Sequence, residues 1–347
     1  MNHISANLKR IRLLKNLSLK EAGSLLNMSA TAISKYENGL IQPDSKKLIE
    51  FSNAYNVKTS TLLKSYNSPI MNFSSFRKKK RLTGQNLTLL KETIQNEVSK
   101  YLKVIELNNL ENPPINLKKY NCTTINDIEN IANEFRLFIQ ISNKQPISDL
   151  TNILENLGII IIQIKNQNNN FNGFDGLSEL VNNIPVIILL DDINDGARQR
   201  FTIAHELGHL ILNTNNKELD IEVLCNRFAS ALLMPKEAII NEFGINRKNI
   251  SLFELKAFKE EYKVSYTAII YRLKELNIIS EYLFKKLSIT LSQNKSKQSF
   301  TSIPKETSYQ FQKLVHKLET DEIISLNKAC ELLGVSIDEY NQENNNY

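Results

Sequence analysis

The chain has 347 residues, which is enough for two or three domains with a sizeable core, and a formal net charge of +6. The N-terminus lacks the apolar core of a signal peptide, and no apolar run is long enough to span a bilayer. We therefore expect a soluble, cytoplasmic protein with no membrane partner. Three scattered cysteines without a CxxC pair argue against a disulfide framework and against a cysteine-ligated metal.

The positive charge is concentrated at the start of the chain. Residues 1–82 contain 15 Lys and Arg against 4 Asp and Glu, a balance of +11, which leaves −5 for the remainder. Such a basic end is where a nucleic acid would bind, although a solvated lysine surface has the same composition.

The first 65 residues have the pattern of a small helical domain. Apolar residues recur at helical spacing, which predicts four or five short helices. Ser18 and Ser29 are predicted N-caps, and Gly39 is predicted to end the third helix in the left-handed conformation. The very short connection "NMS" between the second and third helices is typical of a helix-turn-helix.

This stretch resembles the xenobiotic-response-element (XRE) family of helix-turn-helix domains, most specifically in "ISKYENGLIQPDSKKLIEFSNAYNV". The resemblance implies a partner of double-stranded operator DNA with the third helix in the major groove, and it is compatible with a homodimer on a palindromic operator. Glu37 is interpreted as an acceptor that ties the helix to its own loop. The alternative is a dimerisation or adaptor module that does not bind DNA. The implied groove-facing residues are Ala30, Thr31, Ser34 and Lys35, and the implied phosphate-side residues are Ser18, Lys20 and Asn38.

Residues 66–84, with Pro69, three serines and five basic residues at 77–81, are predicted to form a linker. The basic run could add phosphate contacts, and a solvated linker is the alternative. An amphipathic helix is predicted over 85–110. A second helix is predicted to start near Thr124, with a capping box between its hydroxyl and Asp127.

Two strands are predicted next, "IIIIQIK" after Gly158 and "PVIILLD" at Pro185. The polar, turn-rich stretch "NQNNNFNGFDGL" is predicted to join them. The expected order before the next motif is therefore helix, strand, strand, helix.

The segment "FTIAHELGHLILN" contains two histidines four residues apart. His205 and His209 lie on one face of a helix and can bind one ion. Glu206 would flank that ion and could take the proton of a metal-activated water. The alternative is a core helix that carries two histidines by chance, which is rare in a chain with four histidines in total.

A catalytic zinc site uses three protein ligands. Leu212 and Asn215 stand where a metzincin has Gly and His, so the third ligand must come from elsewhere. In the downstream apolar helix "IEVLCNRFASALLMP", Glu222 and Asn226 share one face. Glu222 can be the third ligand and Asn226 can hold a ligand side chain. The rival ligands in the preceding loop are Glu218 and Asp220.

An exposed edge strand of a zinc peptidase commonly holds the substrate backbone beside the metal by strand addition. The strand just before the histidine helix is the natural candidate, and an ordinary core strand is the alternative. The predicted substrate-binding residues are Val186, Ile187, Ile188, Leu189 and Leu190.

The segment "RQRFTIAHELGHLIL" together with "IEVLCNRFASALLMP" resembles the ImmA/IrrE family of zinc metallopeptidases, from about residue 120 through "VSYTAIIYRLKELNII". The resemblance implies that His205, His209 and Glu222 bind Zn²⁺ and that Glu206 is the general base. It also implies a regulatory protein as substrate, a repressor cleaved in a stress or mobile-element response. A zinc-bound fold without turnover is the alternative.

The C-terminal third is predicted to be helical. A turn at Val264 and Ser265 separates two helices, Gly334 separates two more, and the polar stretch between these pairs is expected to be flexible. His316 is interpreted as a surface residue. The candidates for stabilising an oxyanion are Tyr266, Tyr271 and Arg272, although aromatic residues at helical spacing are more often core.

The expected fold class is mainly α with a small α+β domain of the zincin (gluzincin-type HExxH) kind. The protein is predicted to be a DNA-binding transcriptional regulator with a zinc-dependent endopeptidase domain. The alternatives are a non-proteolytic repressor or antitoxin with a structural or sensory zinc, and a protease whose N-terminal domain only docks on another repressor. The predicted domains are 1–65 (helix-turn-helix), 66–119 (linker and helical connector), 120–245 (metallopeptidase), 246–285 (helical module) and 286–347 (flexible segment and small helical module).

Overall fold

The structure is a computed structural model that describes residues 3–65, 71–73, 82, 84–110, 117–166, 169–191, 195–294 and 302–345. The chain divides into two compact units, residues 1–102 with 167–174, and residues 103–166 with 175–347. The predicted basic run at 77–81 lies outside the described residues. Within the described part of the chain, no helix is long and apolar enough to cross a membrane.

The first unit is helical, as predicted. Ser18 accepts from the Glu21 N–H at 3.2 Å and Ser29 accepts from the Ala32 N–H at 3.1 Å, so both predicted N-caps are confirmed. Gly39 has φ +74° just after the third helix, also as predicted. The helices are α1 (His3–Leu14), α2 (Leu19–Leu25), α3 (Ala30–Glu37), α4 (Ser45–Ala54), α5 (Thr59–Leu63) and α6 (Gly84–Leu107), and the division between the units falls within α6.

A buried ion pair crosses the core of this unit. The Arg12 guanidinium on α1 donates to both carboxylate oxygens of Glu37 on α3, at 2.6 and 2.9 Å. Glu37 is 4% exposed. The prediction that Glu37 is a structural acceptor is confirmed, but the predicted partner was wrong, because the carboxylate ties α3 to α1 and not to its own loop.

The second unit combines a small sheet with helices, in agreement with the expected fold class. The start of α7 differs from the prediction: the Asp127 carboxylate accepts from the backbone and hydroxyl groups of Thr123 and Thr124, and the helix begins at Asp127 itself. Those hydrogen bonds hold the pKa of Asp127 at about 2. The elements are β1 (Tyr120–Asn121), α7 (Asp127–Phe138), α8 (Leu150–Asn156), β2 (Ile160–Ile164), β3 (Gly176–Val181), β4 (Ile184–Leu190), α9 (Gly196–Ile211), β5 (Leu212–Asn213), α10 (Ile221–Leu233), α11 (Lys236–Phe243), α12 (Leu252–Tyr262), α13 (Tyr266–Glu275), α14 (Glu281–Asn294), α15 (Gln310–Thr320), α16 (Leu326–Leu333) and α17 (Ile337–Asn345).

The main sheet has the order β2-β4-β3, with β2 parallel and β3 antiparallel to β4. The prediction of β4 as the exposed, substrate-binding edge strand is therefore wrong. β4 is central, and all seven of its residues are buried because it pairs on both sides and carries a continuous apolar run. The residues concerned are Val186, Ile187, Ile188, Leu189 and Leu190. The edges of this sheet are β2 and β3, and the first residues of β3 fall in the stretch that was predicted to be a turn-rich connection.

Helices α9 and α10 pack closely. A Cβ added at Gly208 would lie 3.1 Å from Cys225 Sγ and 3.2 Å from Cys225 Cα, so the glycine permits the two backbones to approach. Cys225 and Leu207 are both fully buried. This contact fixes the spacing between the histidine helix and the helix that follows it.

The predicted flexible stretch is in part well ordered by contacts, which corrects that expectation for residues 302–308. We call these residues the C-terminal strap. The Ile303 carbonyl accepts from the Gly196 N–H at the start of α9 at 2.9 Å, and a Cβ at Gly196 would overlap the Pro304 carbonyl. Glu306, 7% exposed, forms an ion pair with fully buried Arg200. The strap therefore packs on the N-terminal half of α9.

Candidate metal centre

Helix α9 presents both histidines to one point. The Asp195 side chain caps the helix by accepting from the Ala197 N–H at 3.0 Å. From this start the helix runs unbroken through His205 and His209, whose Nε2 atoms lie 3.2 Å apart. The predicted common face is confirmed by this separation.

Helix α10 begins where its first turn faces those histidines. The Asp220 side chain accepts from the Glu222 N–H at 3.0 Å and so caps the helix. The Glu222 carboxylate lies 3.3 Å from His205 Nε2 and 3.5 Å from His209 Nε2. Within the described ranges, these three residues are the one group of at least three His, Cys, Asp or Glu side chains placed to share an ion. The two rival ligands, Glu218 and Asp220, are outside that group.

The donor set fits a zinc ion. Atoms bound tetrahedrally to zinc at about 2.0–2.1 Å are separated by about 3.3–3.4 Å. The three separations among His205 Nε2, His209 Nε2 and the Glu222 carboxylate are 3.2, 3.3 and 3.5 Å. Two imidazoles and one carboxylate also leave one tetrahedral position for water or substrate, as in catalytic zinc sites.

Asn226 lies one turn after Glu222 and contacts the far side of a histidine. Its Oδ1 is 3.0 Å from His205 Nδ1. Because an amide oxygen accepts, this contact is a hydrogen bond in the tautomer protonated at Nδ1, which leaves the Nε2 lone pair to bind a metal ion. The residue therefore has the position that the sequence analysis predicted for it.

Glu206 lies between α9 and the edge strand β3. It is 4% exposed, and the Ser178 hydroxyl of β3 donates to its Oε2 at 2.9 Å. A Cβ at Gly176 would lie 3.1 Å from both Glu206 Cγ and Oε1, so the glycine allows the strand to pass directly over the carboxylate. Ser178 was not predicted from the sequence, because a serine in an unrecognised strand has no local signal for this role.

The three candidates for stabilising an oxyanion differ in their burial and in their contacts. Arg272 is fully buried, and its guanidinium donates to Glu129, to Glu275 and to the Met234 carbonyl. It is therefore committed to the core. Tyr266 and Tyr271 instead line a cleft that also includes Asn226.

In the first unit, the predicted DNA-facing residues lie on or beside α2 and α3. Lys20, Thr31, Lys35 and Asn38 are exposed, whereas Ala30, Ser34 and Ser18 are partly buried. Asn38 donates to the Ser34 hydroxyl at 3.1 Å. Their contacts with DNA stay predictions.

Comparison with known proteins assigns each domain to a class. Residues 8–62 match a family model described as helix-turn-helix, and residues 154–274 match one described as IrrE N-terminal-like domain. The chain is also similar to the radiation response metalloprotease IrrE of Deinococcus radiodurans, with 32% identity over 106 residues. That alignment covers 26% of this chain and 31% of the relative, so the chain spans about a third of the length of that protein. The predicted combination of an XRE-type domain with an ImmA/IrrE-type domain is confirmed.

Proposed function

We propose that this chain, which joins an XRE-type helix-turn-helix to an IrrE/ImmA-type metallopeptidase domain, is a DNA-binding regulator that cleaves a regulatory protein. The observation that carries the proposal is the convergence of His205, His209 and Glu222 within 3.5 Å, with Glu206 beside them. The substrate we propose is a repressor, cleaved in a stress or mobile-element response. The similarity to the Deinococcus radiation response metalloprotease supports this class of reaction.

His205, His209 and Glu222 would hold the ion, which we propose to be Zn²⁺. When bound, zinc polarises a carbonyl group and lowers the pKa of water to near neutrality. The hydrogen bond from His205 to Asn226 keeps the imidazole in the tautomer that binds a metal through Nε2.

Glu206 would accept the proton of the attacking water and pass it to the leaving amine. Its burial excludes bulk water from the carboxylate, and the Ser178 hydroxyl fixes one of its oxygens. Of the two edge strands, β3 carries Ser178 against Glu206, so we propose that β3 pairs with the substrate backbone.

The helix-turn-helix domain would place this peptidase at an operator. As the proposed recognition helix, α3 would present the exposed side chains of Thr31 and Lys35 to the major groove. Phosphate contacts from lysines such as Lys20 would make binding weaken as salt rises.

The decisive experiment tests whether the protein cleaves a regulator that is encoded by the neighbouring gene. The zinc-loaded protein and its Glu206→Gln variant are each incubated with that regulator, and the products are analysed by mass spectrometry. We expect fragments with the wild type alone, no fragments after chelation, and unchanged zinc content and unfolding temperature in the variant, because Gln keeps the shape but cannot take a proton.

An intact regulator with both proteins at full zinc occupancy would contradict the peptidase and favour the non-proteolytic repressor or antitoxin. Failure to bind DNA upstream of its own gene at any salt concentration would instead support the protease that docks on another repressor.

A further inference from the structure

A cleft of about 1090 Å³ lies beside the candidate metal centre. Asn226 belongs to both, since its Oδ1 contacts His205 Nδ1 at 3.0 Å and its side chain also lines the cleft. Val223, adjacent to Glu222, is 48% exposed and lines the cleft as well. The cleft thus borders the metal centre through Val223, next to Glu222, and through Asn226, which contacts His205.

The floor of the cleft consists of one stripe of side chains from each of α9 and α10. On α9, Ala197 and Phe201 precede His205 at intervals of four residues. On α10, Ser230 follows Asn226 by four residues. Side chains four apart lie on one helical face, so both stripes lead to the metal-binding end of the groove. A substrate chain lying at the metal would therefore continue over this floor.

The wall formed by α12 and α13 is aromatic. Tyr266 is partly buried, with Lys259 Nζ at 5.4 Å from its ring centroid. Tyr271 is 58% exposed. Aromatic rings supply a large contact area at low conformational cost, as is typical of binding clefts.

Three of the cations that line the cleft already have carboxylate partners. The lining therefore offers apolar surface with its main charges balanced, which favours an uncharged occupant. Burial also lowers the pKa of Lys259, the remaining basic group of the lining. The pairs are Arg198–Asp175 at 2.5 Å, Lys274–Glu281 at 2.7 Å and Arg227–Glu275 at 3.2 Å.

We infer that this cleft is the subsite that takes a large apolar side chain, aliphatic or aromatic, next to the scissile bond of the substrate. The inference rests on the proposed function and names the class of segment that it cleaves. The volume exceeds that of one side chain, so neighbouring apolar residues of the same segment also fit. Ser230 is the small residue that leaves room on the floor beyond Asn226.

The test uses a library of peptides from a digested proteome and the zinc-loaded full chain. Cleaved peptides are sequenced by mass spectrometry, and uncleaved peptides are captured on immobilised Glu206→Gln protein. We expect both sets to be enriched at one position in Leu, Ile, Met, Phe or Tyr over Gly, Ala and Ser, by about 10-fold or more. Ser230→Trp should fill the floor and shift that preference to small residues.

The matched control is Asn241→Trp, which adds the same ring on the exposed side of α11, outside the cleft lining. It should leave the preference unchanged, and both variants should keep the zinc content and unfolding temperature of the wild type. Capture with apolar enrichment that Ser230→Trp abolishes, but without cleavage, would support the subsite and refute the peptidase. Three outcomes would each overturn the inference. Peptides could be captured or cleaved without apolar enrichment, the enrichment could persist in Ser230→Trp, or there could be neither capture nor cleavage.

Discussion

We expect a large loss of stability when the buried ion pair between the C-terminal strap and the histidine helix is broken. Arg200 is fully buried and Glu306 is 7% exposed, and the second Glu306 oxygen accepts from the Thr151 N–H at 2.8 Å and from its hydroxyl at 3.0 Å. Glu306→Met removes every one of these acceptors while the Arg200 charge stays buried. Removing one partner of a buried pair costs about 3–5 kcal/mol.

The measurement is chemical unfolding followed by a signal from the second unit, compared with the wild type. Lys305→Met is the matched control, because Lys305 contacts Asp191 at 3.0 Å with both side chains about one-third exposed, and such a pair contributes about 0–1 kcal/mol. The double variant Arg200→Met with Glu306→Met should be more stable than the Glu306→Met variant, since no unpaired charge remains. A loss below about 1 kcal/mol for Glu306→Met, equal to that of the control, would refute the reasoning.

The other predictions concern the metal centre and a second buried charge network. Asn226→Ala should weaken zinc affinity by about 10–100-fold, measured by competition with a chelator, because His205 loses the acceptor that orients it. If the proposed cleavage occurs, Ser178→Ala should lower its kcat more than it changes KM, with zinc affinity unchanged and partial recovery in Ser178→Thr, since the hydroxyl holds Glu206. Glu129→Gln should destabilise the protein at pH 7, and the deficit against the wild type should shrink as the pH falls.

The surroundings of Glu129 determine the direction of this pH dependence. Burial alone would raise its pKa, but hydrogen bonds and charges of Arg272 and Arg227 outweigh that effect and lower the pKa from its ordinary value of 4.5. A carboxylate with a depressed pKa stabilises the fold above its unfolded-state pKa, and that stability is lost as the pH falls through the folded-state value. A deficit independent of pH down to acid unfolding would contradict this account.

Two controls distinguish the loss of a specific contact from a general loss of stability. Val223→Ala, on the exposed side of α10, should leave chelator competition unchanged where Asn226→Ala shifts it. A Ser178→Ala variant with lower zinc affinity, or one that Ser178→Thr does not improve, would contradict the role of that hydroxyl.

The features that could be predicted are those that depend on spacing within one helix. His205 and His209 share a face because they are four residues apart, and the caps at Ser18 and Ser29 depend on groups within three residues. Glu222 was one of three alternatives from the residues alone, because its approach depends on how α10 packs against α9. Helical periodicity was therefore sufficient to predict the paired histidines, but not to choose the third ligand from another helix.

The edge strand and the strap could not be predicted, for different physical reasons. In "GLSELV" the apolar residues do not alternate, since β3 covers the helix with Gly176 and Ser178 and not with large side chains. Arg200 and Glu306 are 106 positions apart, and a glutamate in a polar stretch resembles any solvated residue. Their contact exists only in the folded chain.

That separation also has a consequence for the order of events during synthesis. Glu306 is translated 106 residues after Arg200. At about 5–20 residues per second, the helix that carries both histidines waits about 5–20 s for the carboxylate that neutralises its buried arginine. A nascent chain on the ribosome would thus carry the two histidines on a helix whose arginine still lacks its carboxylate partner. The candidate metal centre would reach its final surroundings only after the strap has been made.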